Sequence, residues 1–281
     1  MSDRRLVITA DDFGLHPAVN AAVEIAHTRG VLTAASLMVG APATAEAVAL
    51  AHAMPNLRVG LHIVLTEGHP VLPPGNVPHL TGPDGAFRND MAAMGAVIFA
   101  SPAARRELTS EIEAQFTAFA ATGLQLDHAN GHKHFHVHPT IARAIATVGG
   151  RFGLRAVRIP REPASVLEKL EPGAAPWPDR LTSWWGGRAS GPFRRAGMLT
   201  PDQVFGLRWT GQMSARRLAG LIGALPPGLS EVYLHPATAS GFAGSAPGYD
   251  YRGDLAALTS GEVLQASGSA SVRRGGFHDF V

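Results

Sequence analysis

Apolar positions in this chain come in short runs separated by amphipathic segments, the alternation expected of βαβ units. Leu6-Val7-Ile8 is a run of the kind that makes a buried strand, and Asp11-Asp12 stand where it gives way to a turn. Pro17 to Arg29 predicts a helix: Pro17 suits its first turn, Val19, Ala22, Val23 and Ala26 form an apolar stripe, and Gly30 suits the stop. Ala34 to Val39 and Arg58 to Leu65 predict two more strands, with a helix over Thr44 to Ala53 between them that ends before Pro55. Strand, helix, strand, helix, strand in this order predicts a parallel sheet.

Residues 66–90 are rich in Pro and Gly and lack periodicity. A loop of that length in a compact domain is characteristically a functional lid, so a lid-like segment is expected near 66–100. Glu107 to Ala121 predicts an amphipathic helix on Leu108, Ile112, Phe116 and Phe119. Leu124 to Asn130 predicts a strand, Pro139 to Phe152 a helix and Arg155 to Ile159 another strand. From Pro160 to Gly211 the residues Pro, Gly, Trp and Arg dominate and no strand is predicted, so a second lid-like segment is expected near 160–211. Ser214 to Leu225 predicts a helix, Glu231 to Leu234 a strand ending at His235, and Leu255 to Gln265 a helix. No repeat or low-complexity linker divides the chain. The expectation is a single α/β domain over residues 1–281, a distorted or incomplete (β/α) barrel of about 6–7 strands. A doubly wound open sheet is the alternative.

Composition narrows the chemistry. Hydrophobic residues make up 46% of the chain and charged ones 16%, enough to build a core and too apolar for disorder. The 24 Lys and Arg nearly balance 22 Asp and Glu, so nucleic acid is not an expected partner. Cysteine is absent, so any metal must be held by His, Asp or Glu. No apolar signal-peptide core follows Met1 to Arg5, and Met91 to Ala100 is about half the length that spans a bilayer. A soluble, cytoplasmic protein is expected. Trp177, Trp184, Trp185, Arg188, Phe193, Arg194 and Arg195 mix aromatic and basic side chains in one stretch. Such a mixture suits either a self-packed lid or peripheral contact with the inner membrane. The oligomeric state is left open, a homo-oligomer included.

Two carboxylates side by side at the mouth of a buried strand repel each other unless a cation compensates them. The plainer alternative for Asp11 and Asp12 is a helix cap. A second concentration of chemistry lies at His132, His134, His136 and His138, spaced every second residue. If that stretch is extended, four imidazoles point to one side, which suits a metal centre better than an apolar core; a solvated His-rich loop is the alternative. Asp12, His62, the His132 cluster and His235 each fall near the end of a predicted strand, the edge where barrels gather catalytic groups. Ligands drawn from three strands, with open positions left over, mark a catalytic rather than a structural metal. His16, His27, His52, His69, His79 and His278 fall outside this pattern.

Thr9-Ala10-Asp11-Asp12-Phe13-Gly14, Gly60-Leu61-His62 with Leu65-Thr66, Gly131-His132-x-His134-x-His136 and the late His235-Pro236 together resemble the YdjC-like carbohydrate deacetylases. The resemblance covers nearly the whole chain in order. Asn130 to His136, Arg158-Ile159-Pro160-Arg161-Glu162-Pro163 and Phe205-Gly206-Leu207 look like the branch associated with hopanoid biosynthesis, which removes the N-acetyl group from an acetylglucosaminyl hopanoid lipid. The resemblance implies a metal-dependent (β/α) barrel hydrolase of a linear amide bond. It implies one divalent ion held by Asp12, His62 and His132, with Asp11 as the base acting near neutral pH; His and carboxylate ligands suit zinc or magnesium first, with manganese, nickel and cobalt left open. His235 is the candidate acid, with His134 or His136 in reserve for that role or as supports of the ligands. Arg158, His134 and His136 are the candidate substrate contacts. Where the family often has Asp-Ser or Asp-Gly, this chain has Asn130-Gly131, and His138 is an addition. The expected partner is an N-acetylated amino sugar or glycolipid. A chitooligosaccharide deacetylase of the diacetylchitobiose type is the near alternative; a metal phosphoesterase or a non-catalytic metal-binding protein are the distant ones.

Overall fold

A computed structural model describes residues 3–173, 190–269 and 271–281. Its centre is the strand β1 (Arg4–Phe13), buried from Leu6 onward. Flanking it are β2 (Ala34–Leu37), β3 (Arg58–Ile63) and β4 (Leu126–Gly131) on one side, and β6 (Gly228–Leu234) and β5 (Gln203–Phe205) on the other. Every pairing is parallel, and the order is β4-β3-β2-β1-β6-β5. A two-residue strand, β7 (Arg273–Arg274), pairs with the start of β1.

This order separates the two predicted architectures. The first strand pairs with the last long one, which is how a barrel closes on itself, whereas a doubly wound sheet reverses direction from its first strand. The structure is one α/β domain whose six parallel strands curl into a half-barrel. Segment 155–161 lies between the two edges of the curl. On one side Ala129 N donates to Ala156 O and Arg158 N to Ala129 O; on the other Val157 N donates to Leu199 O and Val204 N to Arg161 O. The strand expected over Arg155 to Ile159 is thus present as isolated bridges to β4 and to Leu199 rather than as a continuous ladder.

The first half of the chain follows its apolar pattern closely: α1 (Pro17–Arg29) and α2 (Thr44–Ala53) have the predicted bounds. Other expectations need correcting. The Asp pair is not a helix cap, because β1 runs through it and the side chain of His16 caps α1 by accepting from Ala18 N at 3.1 Å. Part of the expected lid is helical: α3 (Met91–Ala100) is capped by Asp90, and α4 (Pro102–Ala121) starts a turn early because Ser101 caps it. β5 arises where no strand was expected. The single helix expected over Leu255 to Gln265 is two, Tyr251–Thr259 and Gly261–Ser269, because Ser260 is extended and its hydroxyl caps the second helix at Val263 N. In the aromatic and basic stretch, Phe193 is fully buried, while Arg194 and Arg195 are exposed; Trp177, Trp184, Trp185 and Arg188 lie outside the described residues.

Candidate metal centre and active site

In a regular strand, consecutive side chains point to opposite faces. At the end of β1 the alternation breaks: Asp12 has a φ of 62°, and the register against β2 slips between Ala10 and Phe13. Asp is among the few residues that tolerate this left-handed conformation. Asp11 and Asp12 therefore both reach one cavity of about 1130 Å³ at the carboxyl ends of the strands.

His62 on β3 and His132, directly after β4, meet Asp12 there. Asp12 Oδ1 lies 3.3 Å from His62 Nε2 and 3.2 Å from His132 Nδ1, and the two imidazole nitrogens are 3.4 Å apart. The tautomer of His62 follows from its surroundings. Asp11 is an acceptor only, so Asn130 must turn its Nδ2 toward it; that nitrogen donates to Asp11 Oδ1 at 3.0 Å and to Ser36 Oγ at 2.9 Å. Asn130 Oδ1 then faces His62 Nδ1 at 2.7 Å, which must carry the hydrogen. The Nε2 lone pair of His62 is left aimed at Asp12 and His132.

Three donors converging in a buried space could hold a cation between them, and the spacing of these three fits one. Ligand atoms arranged tetrahedrally about an ion at bonds of about 2.0–2.1 Å lie roughly 3.3–3.4 Å apart, close to the three separations observed. Asp12, His62 and His132 form the one such group found among the described residues. For His132, burial pulls the imidazole pKa down but the Asp12 carboxylate more than offsets it, so a proton is favoured at that ring in the absence of a cation.

Asp11 is buried against Arg158, which donates to it through Nη2 at 3.0 Å and through Nη1. Burial pushes the Asp11 carboxyl up, but Arg158 chiefly, with His62 and His235, holds it well below the usual carboxylate range. Tuning toward neutral pH, expected for this base, is therefore not what its surroundings impose. Arg158 is fully buried, shares its remaining donors with Glu231, and stacks 4.5 Å over the Tyr233 ring. A sugar-contacting role does not fit that position, and neither does a surface one.

The extended His132 to His138 stretch is also not observed. The segment turns as a 3₁₀ helix with Lys133 and His134 at φ 52° and 57°, so the imidazoles diverge. His132 joins Asp12, His134 Nε2 meets Tyr233 Oη at 3.0 Å, buried His136 reaches Arg158 O at 2.8 Å, and His138 caps the helix that starts at Pro139. Of these, His132, His134 and His138 line the cavity and His136 lies behind its wall. Burial lowers the pKa of His134 strongly and that of His136 to about 4, keeping both neutral. His235 lines the cavity too. Burial lowers its pKa, its backbone N–H is fixed by Asp254 at 2.9 Å, and its buried Nδ1 has no protein partner among the described residues.

Several residues of the site went unpredicted: Asn130 as the orienter of His62 and Asp11, Glu231 behind Arg158, and Tyr233, Tyr249 and Tyr251 on the cavity wall. Glu231 did carry a signal, since a lone acid inside the apolar run of β6 must have a buried partner.

A parallel half-barrel with a carboxylate and two imidazoles at its strand ends belongs to the class that builds its sites from the carboxyl edge of the sheet. Within that class, the chain belongs to the YdjC-like protein family, whose sequence profile matches residues 5–267. A carbohydrate deacetylase of Homo sapiens is 34% identical over 251 residues, covering 83% of this chain and 74% of the human protein. A carbohydrate deacetylase of Brevibacillus brevis is 42% identical over 137 residues, 49% of this chain, and the match spans 52% of that relative's length. Among solved structures, a proposed cellobiose-phosphate cleavage protein of Enterococcus faecalis V583 aligns over 100% of both chains, with a TM-score of 0.76 at 23% identity. At that identity the likeness shows the fold alone.

Proposed function

We propose that this chain is a carbohydrate N-deacetylase working with one divalent metal ion held by Asp12, His62 and His132. The observation that carries the reading is the convergence of those three donors on the cavity floor, with an ionised Asp11 beside them. When bound there, the ion polarises the acetyl carbonyl and acidifies water at the site. Asp11 takes the proton of the attacking water. Arg158 favours the charged form of Asp11, so that proton is held only briefly and must move on. His235, neutral through burial and on the same cavity wall, collects a proton and delivers it to the leaving nitrogen. Asn130 keeps His62 and Asp11 in register throughout, as the partner shell of a metal ligand does.

The substrate we propose is an N-acetylglucosamine-containing glycolipid of the acetylglucosaminyl hopanoid type. Supporting it are the branch-like motifs around Asn130, Arg158 and Phe205, and a cavity whose polar floor meets apolar Leu15, Met38, Met91, Val137 and Leu207. Peripheral contact with a membrane would suit such a substrate; no helix among the described residues is long and apolar enough to cross one. A two-metal phosphoesterase is less well supported, since a single metal-capable group occurs among the described residues.

The test is mass spectrometry of acetylglucosaminyl lipids and diacetylchitobiose after incubation with metal-loaded protein. Loss of one acetyl group, abolished in Asp11→Asn and His62→Ala, is the expected result. Equal acetate release by both variants would sink the reading.

A further inference from the structure

The helix Met91–Ala100 has no polar side chain in any of its ten positions. A surface helix of a globular protein normally carries a polar outer face. This one buries Met94, Gly95 and Ile98 and leaves Ala92, Ala93, Ala96, Val97, Phe99 and Ala100 exposed, Phe99 at 66%. The helix also forms the rim of the catalytic cavity. Met91 lines that cavity, and Gly95 packs so tightly on the lining residues His138 and Phe135 that a Cβ there would lie 3.3 Å and 3.9 Å from their rings. Apolar cavity wall thus passes directly into apolar outer surface.

Charge surrounds the patch without entering it. Arg88 and Arg106, both exposed, and half-buried Arg105 lie within six residues of the helix ends. Of the nearby acids, Asp90 is committed to capping the helix and Glu107 to His79. An apolar face with Arg88 before it in the chain and, after it, Arg106 and Arg105, which is bonded to Phe99 O, matches an anionic lipid surface, with aliphatic and aromatic side chains entering the acyl boundary and guanidinium groups at the headgroups. A second copy of the chain is a poorer occupant. A ten-residue helix presents a face about 15 Å long and about 10 Å wide, of the order of 150 Å², against about 800 Å² per partner in a stable dimer.

We infer that the helix Met91–Ala100 docks on an anionic bilayer and opens the apolar wall of the cavity to the lipid, so that an amphiphilic substrate reaches Asp11 and Asp12 without crossing water. This rests on the glycolipid reading above.

The experiment is co-sedimentation of the full chain with phosphatidylcholine vesicles, with and without phosphatidylglycerol, for the wild type, Phe99→Gln, and the double variant Val97→Glu/Phe99→Glu. Circular dichroism confirms folding, and Phe99→Gln, a milder change at an exposed position, guards against a misfolded double variant. The expected result is binding that strengthens with anionic lipid and falls roughly tenfold in the double variant, with turnover of a water-soluble acetylated sugar unchanged. Vesicle binding that is equal in all three proteins overturns the proposal. So does a dimer, seen by light scattering, that both substitutions dissolve while no protein sediments with vesicles. If no acetylated compound is turned over yet sedimentation behaves as expected, docking stands and the catalytic reading falls.

Discussion

The Glu231 carboxylate takes the Nε–H and one Nη2–H of Arg158, at 2.9 and 2.7 Å, which leaves Nη1 and the other Nη2–H for Asp11. One guanidinium with 0% exposure thus pairs with two buried acids drawn from β1 and β6. Removing one partner from such a set leaves uncompensated charge in a low-dielectric interior. Arg158→Met is therefore expected to lower unfolding free energy by about 3–5 kcal/mol, read as a shift of the urea midpoint. Glu231→Gln retains an acceptor for Arg158 and is expected to cost less. Equal midpoints for wild type and Arg158→Met would overturn this ion-pair set as a source of stability.

Asn130 links His62, a proposed metal ligand, to Asp11, the proposed base, through one amide. Outer partners of this kind typically carry roughly 10–100-fold in metal affinity. Asn130→Leu fills similar space but releases the His62 ring, and is expected to weaken metal binding by that factor in competition with a chromophoric chelator. Adding the ion to metal-stripped wild type is expected to raise the thermal midpoint, because it binds the folded state alone. Asp12→Ala is expected to abolish the rise.

How much of this was legible in the sequence depends on the range of the interaction. Periodicity located α1, α2 and the strands β1, β2, β3, β4 and β6, since each is a local pattern. The set Asp12, His62 and His132 comes from the resemblance of the motifs that carry them; the residues alone place each only at or near the end of a predicted strand. What stayed hidden was set by backbone geometry or distant partners. Lys133 and His134 turn left-handed and scatter imidazoles that spacing alone aligns. Arg158 reads as a polar side chain within a short strand, and only the reach of its guanidinium to acids on β1 and β6 reveals it as the buried counter-ion of Asp11. Gln203-Val204-Phe205 becomes a strand through β6 beside it, not through any pattern of its own.

Asp254 gives a pH signature that buried Glu111 shares in direction and that opposes that of Asp11, Asp12 and Asp127. Burial pushes its carboxyl up to about 6, although Met213 N and His235 N both donate to it at 2.9 Å. In the unfolded chain an Asp titrates near about 3.9. Between those values the folded protein holds a proton that the unfolded chain has released, so stability from this group is full below about pH 4 and declines as pH rises toward 6. The decline is at most about 1.4 kcal/mol per pH unit. Asp11, Asp12 and Asp127, with lowered pKa values, act in the opposite sense. Asp254→Asn cannot titrate, so its urea midpoint is expected to rise more steeply than that of the wild type from pH 4.5 to 6.5. Parallel profiles would show that Asp254 is ionised throughout.

Gly60 makes the sharpest packing prediction. A Cβ at that position would fall 2.5 Å from Cε1 and Nδ1 of His128. Such a clash is cheap only if the ring can move, and this ring cannot. Asn130 donates to Ser36 Oγ, so the Ser36 hydroxyl is free to donate to His128 Nε2, 3.0 Å away; His128 Nδ1–H then donates to Asp127 Oδ2 at 2.8 Å. Asp127 in turn accepts from Phe277 N and His278 N, and the Phe277 ring lies 4.8 Å from the imidazole. Displacing His128 would disturb every link back to Asn130 and so to His62, two residues along the same strand from Gly60. Gly60→Ala is expected to destabilise the fold by about 1–3 kcal/mol and to lower metal content, while Gly75→Ala, with nothing within 4 Å of the added Cβ, changes neither. The decisive measurement is a double-mutant cycle with His128→Ala. If the clash with the ring is the cause, Gly60→Ala becomes nearly free of cost once the ring is gone; if the cost persists, backbone strain at position 60 is responsible instead.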